Sequence, residues 1–268
     1  MSKVFFIGAG KMASALAGGV VRAGVFAAAE LGAFDVDPRA ARAFTEATGV
    51  SCATADAASA LAEAESVLLA VKPQMLAAAV EGLQPVLAGK LVISIVAGVP
   101  LARLAALTGA TRIVRVMPNT PALVGEGAAA YAAAAGAQPA DCELVEKILG
   151  AVGMVTKVAE PLLDAVTGLS GSGPAYVFEF IRALADGGVA EGLSRDAALR
   201  LAAQTVLGSA RMVLESGEHP SVLKDRVTSP AGTTIRGLEV LADRAFAGAV
   251  TQAVRAGAIR SRELGGAR

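Results

Sequence analysis

The 268-residue chain has no tryptophan, two tyrosines, two cysteines and one histidine, and its 24 lysines and arginines balance its 24 aspartates and glutamates. A formal net charge of zero exerts no electrostatic pull toward nucleic acid or an anionic membrane, and no basic cluster is interleaved with aromatics. Neither class of partner is expected. Cys52 and Cys142 lie far apart with no metal-ligand spacing and read as two small buried hydrophobes. His219 precedes Pro220, where a helix can begin, and reads as a capping or surface residue. No metal site is expected, and no histidine, cysteine or carboxylate stands out as a catalyst.

Long hydrophobic runs are missing as well. The mean hydropathy of +0.57 comes from alanine-rich windows that glycine, lysine, arginine or glutamate interrupts before about 18 apolar residues accumulate. The opening MSKVFFIGAGKM has glycines where a secretory signal needs an apolar centre. These features predict a soluble, cytoplasmic protein.

What the sequence does have is alternation. Short apolar runs at 3–10, 31–37, 66–71, 90–98 and 112–118 read as strands. Helical stretches follow at 11–23 and 38–48, the latter opened by Pro38, and Pro73 starts another. Residues 127–134 and 153–159 read as edge strands around a helix at 139–150. Strands alternating with helices predict βαβ units and a mainly parallel sheet. Past residue 160 the strand signals stop. Residues 174–191, 194–216 and 240–263 read as helices, with Ser194 as N-cap and Gly217 as C-terminal stop. The expected fold class is therefore α/β: an N-terminal Rossmann-type domain over 1–159 and an all-α domain over 160–268. A helical unit of about 100 residues with such broad apolar faces cannot bury them alone, so an obligate homo-oligomer is expected.

VFFIGAGKMASALAGG places Gly8, Gly10 and Ala13 in a G-x-G-x-x-A pattern between a strand and a helix. Gly8 permits the tight turn, Gly10 keeps the backbone accessible to a pyrophosphate, and Ala13 lets helix and strand pack closely. The helix N-terminus adds N–H donors. At the end of the second strand, the Asp35 carboxylate suits the 2′-hydroxyl of NADH, Asp37 suits a helix cap, and Arg39 suits the 2′-phosphate of NADPH. The residues alone leave both cofactors open. AVKP at 70–73 and VAG at 96–98 end later strands, where an open parallel sheet delivers loops to its ligand.

Five stretches in this order carry a family resemblance: FIGAGKMASAL, AVKPQ (70–74), RVMPNTPALVGEG (115–127), VTGLSGSGPAYVFEF (166–180) and HPSVLKDRVTSPAGTTIRGLEVLA (219–242). Together they resemble pyrroline-5-carboxylate reductase, from residue 3 to about 264. The resemblance implies reduction of (S)-1-pyrroline-5-carboxylate to L-proline, the last step of proline synthesis, with NADPH or NADH. It implies helical domains interlocked into homodimers that assemble into larger rings, often decamers. It places cofactor contacts on Gly8, Ala9, Gly10, Lys11, Met12, Ala70, Val71, Lys72, Pro73 and Ala97, with Glu160 and Arg226 also near the cofactor. It places the substrate carboxylate on Ser229, Gly232, Thr233 and Thr234. The sequence departs from the family at Lys11, where many relatives carry Asn, and at Ala231, where Gly is usual. It also departs at Asp35, where NADPH-preferring relatives often carry Asn, Ser or Arg.

SPAGTTI (229–235) has the form of a helix N-terminus whose free N–H groups and hydroxyls suit a small carboxylate. Gly171, in SGSGPAY, reads as pocket wall or as a tight turn between helices. Asn119, in MPNTP, is a polar candidate facing it. With no obvious acid, catalysis is expected to rest on positioning, and Thr234 is the expected orienting residue. Two rivals remain at this level. One is another two-domain NAD(P)-dependent reductase, either a β-hydroxyacid dehydrogenase, which usually relies on a catalytic lysine within its helical domain although Lys224 is the only lysine after Lys157, or an imine reductase acting on a different ring. The other is a nucleotide-binding scaffold without activity.

Overall fold

The computed structural model describes residues 3–266. Its strands are β1 (Val4–Ile7), β2 (Leu31–Phe34), β3 (Cys52–Ala53), β4 (Ser66–Leu69), β5 (Leu91–Ser94), β6 (Ile113–Met117), β7 (Gly127–Ala133) and β8 (Gly153–Lys157). They form one sheet in the order β3-β2-β1-β4-β5-β6-β7-β8. The first six in sequence run parallel, and β7 pairs antiparallel with β6 and parallel with β8. Strand order reverses at β1, which lies between β2 and β4. The loops leaving β1 and β4 therefore diverge and open the crevice in which doubly wound sheets bind ligands.

The helices of this half are α1 (Lys11–Arg22), α2 (Pro38–Thr48), α3 (Ala57–Ala62), α4 (Leu76–Val80), α5 (Gln84–Leu87), α6 (Leu101–Thr108), α7 (Pro139–Gly150) and α8 (Leu163–Val166). All four β1 residues are buried because the sheet is covered on both faces. Successive side chains point to opposite faces, so Val4 and Phe6 join one core with Leu16, Phe44 and Tyr131, while Phe5 and Ile7 join another with Leu61, Leu76 and Leu104. The Phe6 and Phe44 rings sit 6.0 Å apart, tilted by 54°, within the range of favourable aromatic pairs. Asp37 caps α2, accepting the Arg39 N–H at 2.9 Å, as its position before Pro38 predicts.

Compact units divide the chain at Ser172. The sheet unit runs through Ser172 and is completed by the chain from Arg255 onward; the other spans Gly173–Val254. The second unit is built from α9 (Gly173–Ala190), α10 (Arg195–Ser216), α11 (Pro220–Arg226), α12 (Thr233–Asp243) and the start of α13 (Phe246–Leu264). Ser194 and Gly217 cap α10 as expected, the glycine in the left-handed region at φ 65°. His219 caps α11, its Nδ1 accepting the Ser221 N–H at 3.2 Å. The single helix expected over 240–263 is instead two. α12 already begins at Thr233, and Ala245, at φ 52°, turns the chain between α12 and α13. Apolar periodicity runs through that break and does not reveal it. Pro73 opens a 3-10 turn (Pro73–Met75) ahead of α4 rather than an α-helix directly.

The second unit buries few apolar side chains of its own. Ala185, Ala198 and Ala202 form its buried cluster at the α9–α10 crossing. Phe178, Leu201, Leu207, Met212, Leu214 and Val240 are each more than half exposed or close to it. An apolar surface of that extent on a helical unit marks an association face.

Candidate active site

Two cavities in the sheet unit share Gly10 and Ala70–Lys72 in their linings. One, of about 500 Å³, lies beyond the ends of β1, β2 and β4 and is lined by Gly8, Asp35, Val36, Asp37 and Met75 among others. The second, of about 480 Å³, is lined by Lys11, Met12, Ile95, Met117, Asn119 and Gly171 among others.

Gly8 and Gly10 make the shared edge for different reasons. Gly8 has φ 100°, and a Cβ there would stand 2.8 Å from the Ala70 carbonyl oxygen, so only glycine fits the turn. Gly10 has open space where a Cβ would be, leaving its backbone approachable. It also caps α1, and the first intrahelical bond is Ser14 N–H to Gly10 O at 2.9 Å. The N–H groups of Lys11, Met12 and Ala13 therefore precede the helical ladder and are available to an anion. Ala13 is fully buried under β1. These features fit the pyrophosphate of a dinucleotide.

Asp35 leaves β2 and folds its carboxylate back onto this loop. Oδ2 accepts the Ala9 N–H at 2.7 Å and Oδ1 accepts the Asp37 N–H at 2.9 Å. Burial, and then the nearby Asp35 charge, push the Cys52 thiol up to about 11. On the other cavity, the Asn119 side chain is spent on the scaffold. Its Oδ1 accepts the Ala128 N–H at 2.8 Å and its Nδ2 donates to the Ser170 carbonyl at 3.1 Å. That carbonyl belongs to a π-turn over Thr167–Gly171, closed by Ser172 N–H to Thr167 O at 2.8 Å. Gly171 packs its open face toward Met117, whose Cε would lie 2.5 Å from an added Cβ.

Of the residues expected on the cofactor, Gly8, Gly10, Asp35, Ala70, Val71 and Lys72 line the first cavity, and Lys11 and Met12 the second. Ala9 is the donor to Asp35, Pro73 begins the turn just after the lining, and Ala97 is exposed in the loop following β5, outside both linings. Glu160 accepts the Leu101 N–H at 2.6 Å and pairs with Arg115 at 3.2 Å, so it closes the N-terminus of α6. Arg226 pairs with Glu218. Sequence reasoning missed the network behind β6. Buried Arg115 faces Glu160 and Asp164, and the Ser261 hydroxyl donates to Asp164 Oδ1 at 2.6 Å.

The expected carboxylate loop lies in the helical unit. Gly232 caps α12, and its N–H bonds the Ser229 carbonyl at 3.1 Å. An added Cβ at Gly232 would fall 2.3 Å from Ser229 Oγ. The N–H groups of the first turn, at Thr233 and Thr234, have no intrahelical partner. Along the helices of this unit Thr205, Ser209, Ser216, Thr228 and Thr251 each return their hydroxyl to a carbonyl four residues back. Among the described residues no such bond is made by the hydroxyls of Ser229, Thr233 and Thr234, which sit ahead of or within the first turn of α12.

Comparison with known proteins places these features in context. Residues 160–264 match the family described as pyrroline-5-carboxylate reductase dimerisation, and residues 3–98 match NADP oxidoreductase, coenzyme F420-dependent. The chain is 48% identical over 265 residues to a pyrroline-5-carboxylate reductase of Methanosarcina acetivorans, covering 98% of each. Among solved structures it is similar to the pyrroline-5-carboxylate reductase of Coxiella burnetii, with TM-score 0.91, 35% identity and 98% of each chain covered. It is also similar to a Plasmodium falciparum pyrroline carboxylate reductase with NADP bound, with TM-score 0.89, 34% identity and 98% of each chain covered.

Proposed function

Since the chain belongs to the pyrroline-5-carboxylate reductase family, we propose a division of labour between its two units in that family's reaction. The protein reduces 1-pyrroline-5-carboxylate to proline with NAD(P)H. The reduced nicotinamide, when bound, supplies the hydride that the ring carbon of the C=N bond takes up, while the ring nitrogen keeps a proton drawn from solvent.

The sheet unit holds the dinucleotide. Gly8–Met12 cradle the pyrophosphate, Asp35 reads the adenosine ribose, and Ala70–Pro73 with Ala97 border the remainder. The observation that carries this assignment is the pair of glycines at the strand-order reversal, one forced by φ and a close carbonyl, the other open to the cavity. The helical unit supplies the anion site. The N–H groups and hydroxyls of Ser229, Gly232, Thr233 and Thr234 take the substrate carboxylate without adding a competing charge. Thr234 is the catalytic residue, because its hydroxyl orients the ring as well as the carboxylate. Gly171 and Asn119 are the substrate-contact candidates of the sheet unit. With no strong acid required, holding the reactants in attack geometry supplies the rate, worth ~7–11 kcal/mol in favourable cases.

The dimerisation-family match, which begins at residue 160, supports a functional boundary between Ala159 and Glu160. The exposed apolar faces of α9, α10 and α12 support a homodimer, and dimers assemble further into a homodecamer, which light scattering on the purified protein tests. Among the described residues no helix is long and apolar enough to cross a membrane; the reading is of a cytoplasmic enzyme without nucleic-acid or membrane partners. The deciding experiment follows loss of reduced-nicotinamide absorbance on adding pyrroline-5-carboxylate, with NADH and NADPH in parallel. Cofactor binding without substrate-dependent oxidation of either would refute the reductase reading and favour a non-enzymatic scaffold.

A further inference from the structure

We infer that this chain prefers NADH to NADPH and that Asp35 sets the preference; the inference rests on the cofactor site assigned above. The two cofactors differ only by a phosphate on the adenosine 2′-oxygen, so the discrimination lies at the end of β2. Three side chains line the cavity there in sequence: Asp35, Val36 and Asp37. Two are carboxylates. The one between them is apolar and 71% exposed, where a cationic side chain would be needed to pair with a phosphate.

The Asp35 charge is also fixed in place. Hydrogen bonds from Ala9 at 2.7 Å and Asp37 at 2.9 Å hold its two oxygens, one each. A carboxylate oxygen has a second acceptor position, so each can still receive a ribose hydroxyl. It cannot swing away from a 2′-phosphate without breaking the bond that shapes the Gly8–Gly10 loop. Asp37 is held similarly by its cap to Arg39. The lysine that lines this cavity, Lys72, also lines the second one beside Lys11, which puts positive charge toward the pyrophosphate rather than the adenosine end. Arg39 is exposed and outside the lining. The charges are thus ordered along the groove, negative at the ribose and positive at the phosphates. That order accepts a 2′-hydroxyl and repels a 2′-phosphate, a device that works by rejecting the competitor.

Isothermal titration calorimetry of the full-length protein with NADH and with NADPH tests this without reference to turnover. Wild type is expected to bind NADH at least tenfold more tightly. Asp35→Ser is expected to tighten NADPH and weaken NADH, so that the ratio falls by tenfold or more. Asp35→Asn, which keeps an acceptor for the Ala9 N–H, is expected to move it the same way, with thermal melts confirming that each variant folds. Wild type that binds NADPH as tightly as NADH overturns the inference, and so does a folded Asp35→Ser protein with an unchanged ratio. Should the variants not fold, the wild-type ratio decides. A protein that reduces pyrroline-5-carboxylate best with NADPH sinks this inference and leaves the reductase reading standing. One that binds NADH tightly but never oxidises it with that substrate does the opposite.

Discussion

Asn119 Nδ2 donates to the carbonyl oxygen of Ser170 at 3.1 Å, joining two segments 51 residues apart in the chain. With its Oδ1 on Ala128 N–H, this one amide fixes the loop after β6 against the π-turn that borders the second cavity. Asn119→Ala removes both bonds at a residue that is 8% exposed. It is expected to destabilise the protein by about 1–3 kcal/mol, the usual cost of stranding buried polar groups. Asn119→Asp keeps the acceptor and loses the donor, so it should fall between. Denaturant midpoints measure the series, and an alanine variant as stable as wild type would show that the bonds carry no load.

Ala231 sits at φ 55°, a left-handed conformation that disfavours a side chain, just before the Gly232 cap of α12. Ala231→Gly relieves a strain of about 1–2 kcal/mol and gives part of it back as chain entropy in the unfolded state. A net gain of about 1 kcal/mol in unfolding free energy is expected. No gain, or a loss, would mean that the turn tolerates alanine without strain.

Thr234→Ala is expected to lower kcat roughly 10²-fold, as loss of one positioned donor does, while the dissociation constant for reduced cofactor stays within about twofold of wild type. Thr234→Ser keeps the hydroxyl and should restore most of the rate. Unchanged turnover in the alanine variant would remove Thr234 from the catalytic role.

The Arg112 guanidinium, bonded to both oxygens of Asp141, holds that carboxyl below the usual carboxylate range, and the Gln138 N–H at 2.8 Å adds to the effect. A depressed folded-state pKa stabilises the protein above the unfolded value of about 3.9 and ceases to do so as pH falls through the lower folded value. Asp141→Asn should therefore be less stable than wild type near neutral pH, with the gap narrowing below about pH 4. Melting curves across pH 3 to 7 for both proteins check the slope. A gap that persists unchanged into acid would assign the loss to packing.

Cys52, with its thiol pushed up to about 11, has roughly one molecule in a thousand as thiolate at pH 8. Alkylation by iodoacetamide at that pH should be far slower than for a free thiol, and faster in Asp35→Ser, which lacks the nearby negative charge. Rapid labelling of the wild-type residue, located by peptide mass, would contradict this.

Much of this architecture is local and therefore readable in the chain. Gly8, Gly10 and Ala13 announce the turn because each is required by contacts within one strand–turn–helix. Asp37, Ser194, Gly217 and His219 cap the helices expected of them because a cap depends only on residues within about one turn of it. The parallel order of the sheet follows from strands that alternate with helices. The short β3 and the brief helices α3 and α5 left no such mark, since a few residues are too short a window for a hydrophobic period to show. The break at Ala245 was hidden because apolar periodicity runs through it.

Contacts between distant segments were decided by folding alone. Asp35 meets Ala9 because β2 lies beside β1, which brings together residues 26 apart. Asn119 meets Ser170, and Ser261 meets Asp164 across 97 residues, with no periodicity to advertise either pair. Sequence specified the elements and the chemistry available at their ends, because dihedral preference and hydrophobic period act over a few residues. Tertiary structure decided which carboxylate is pinned against the Gly8–Gly10 turn and which amide is spent on scaffolding, because those outcomes depend on neighbours that only packing supplies.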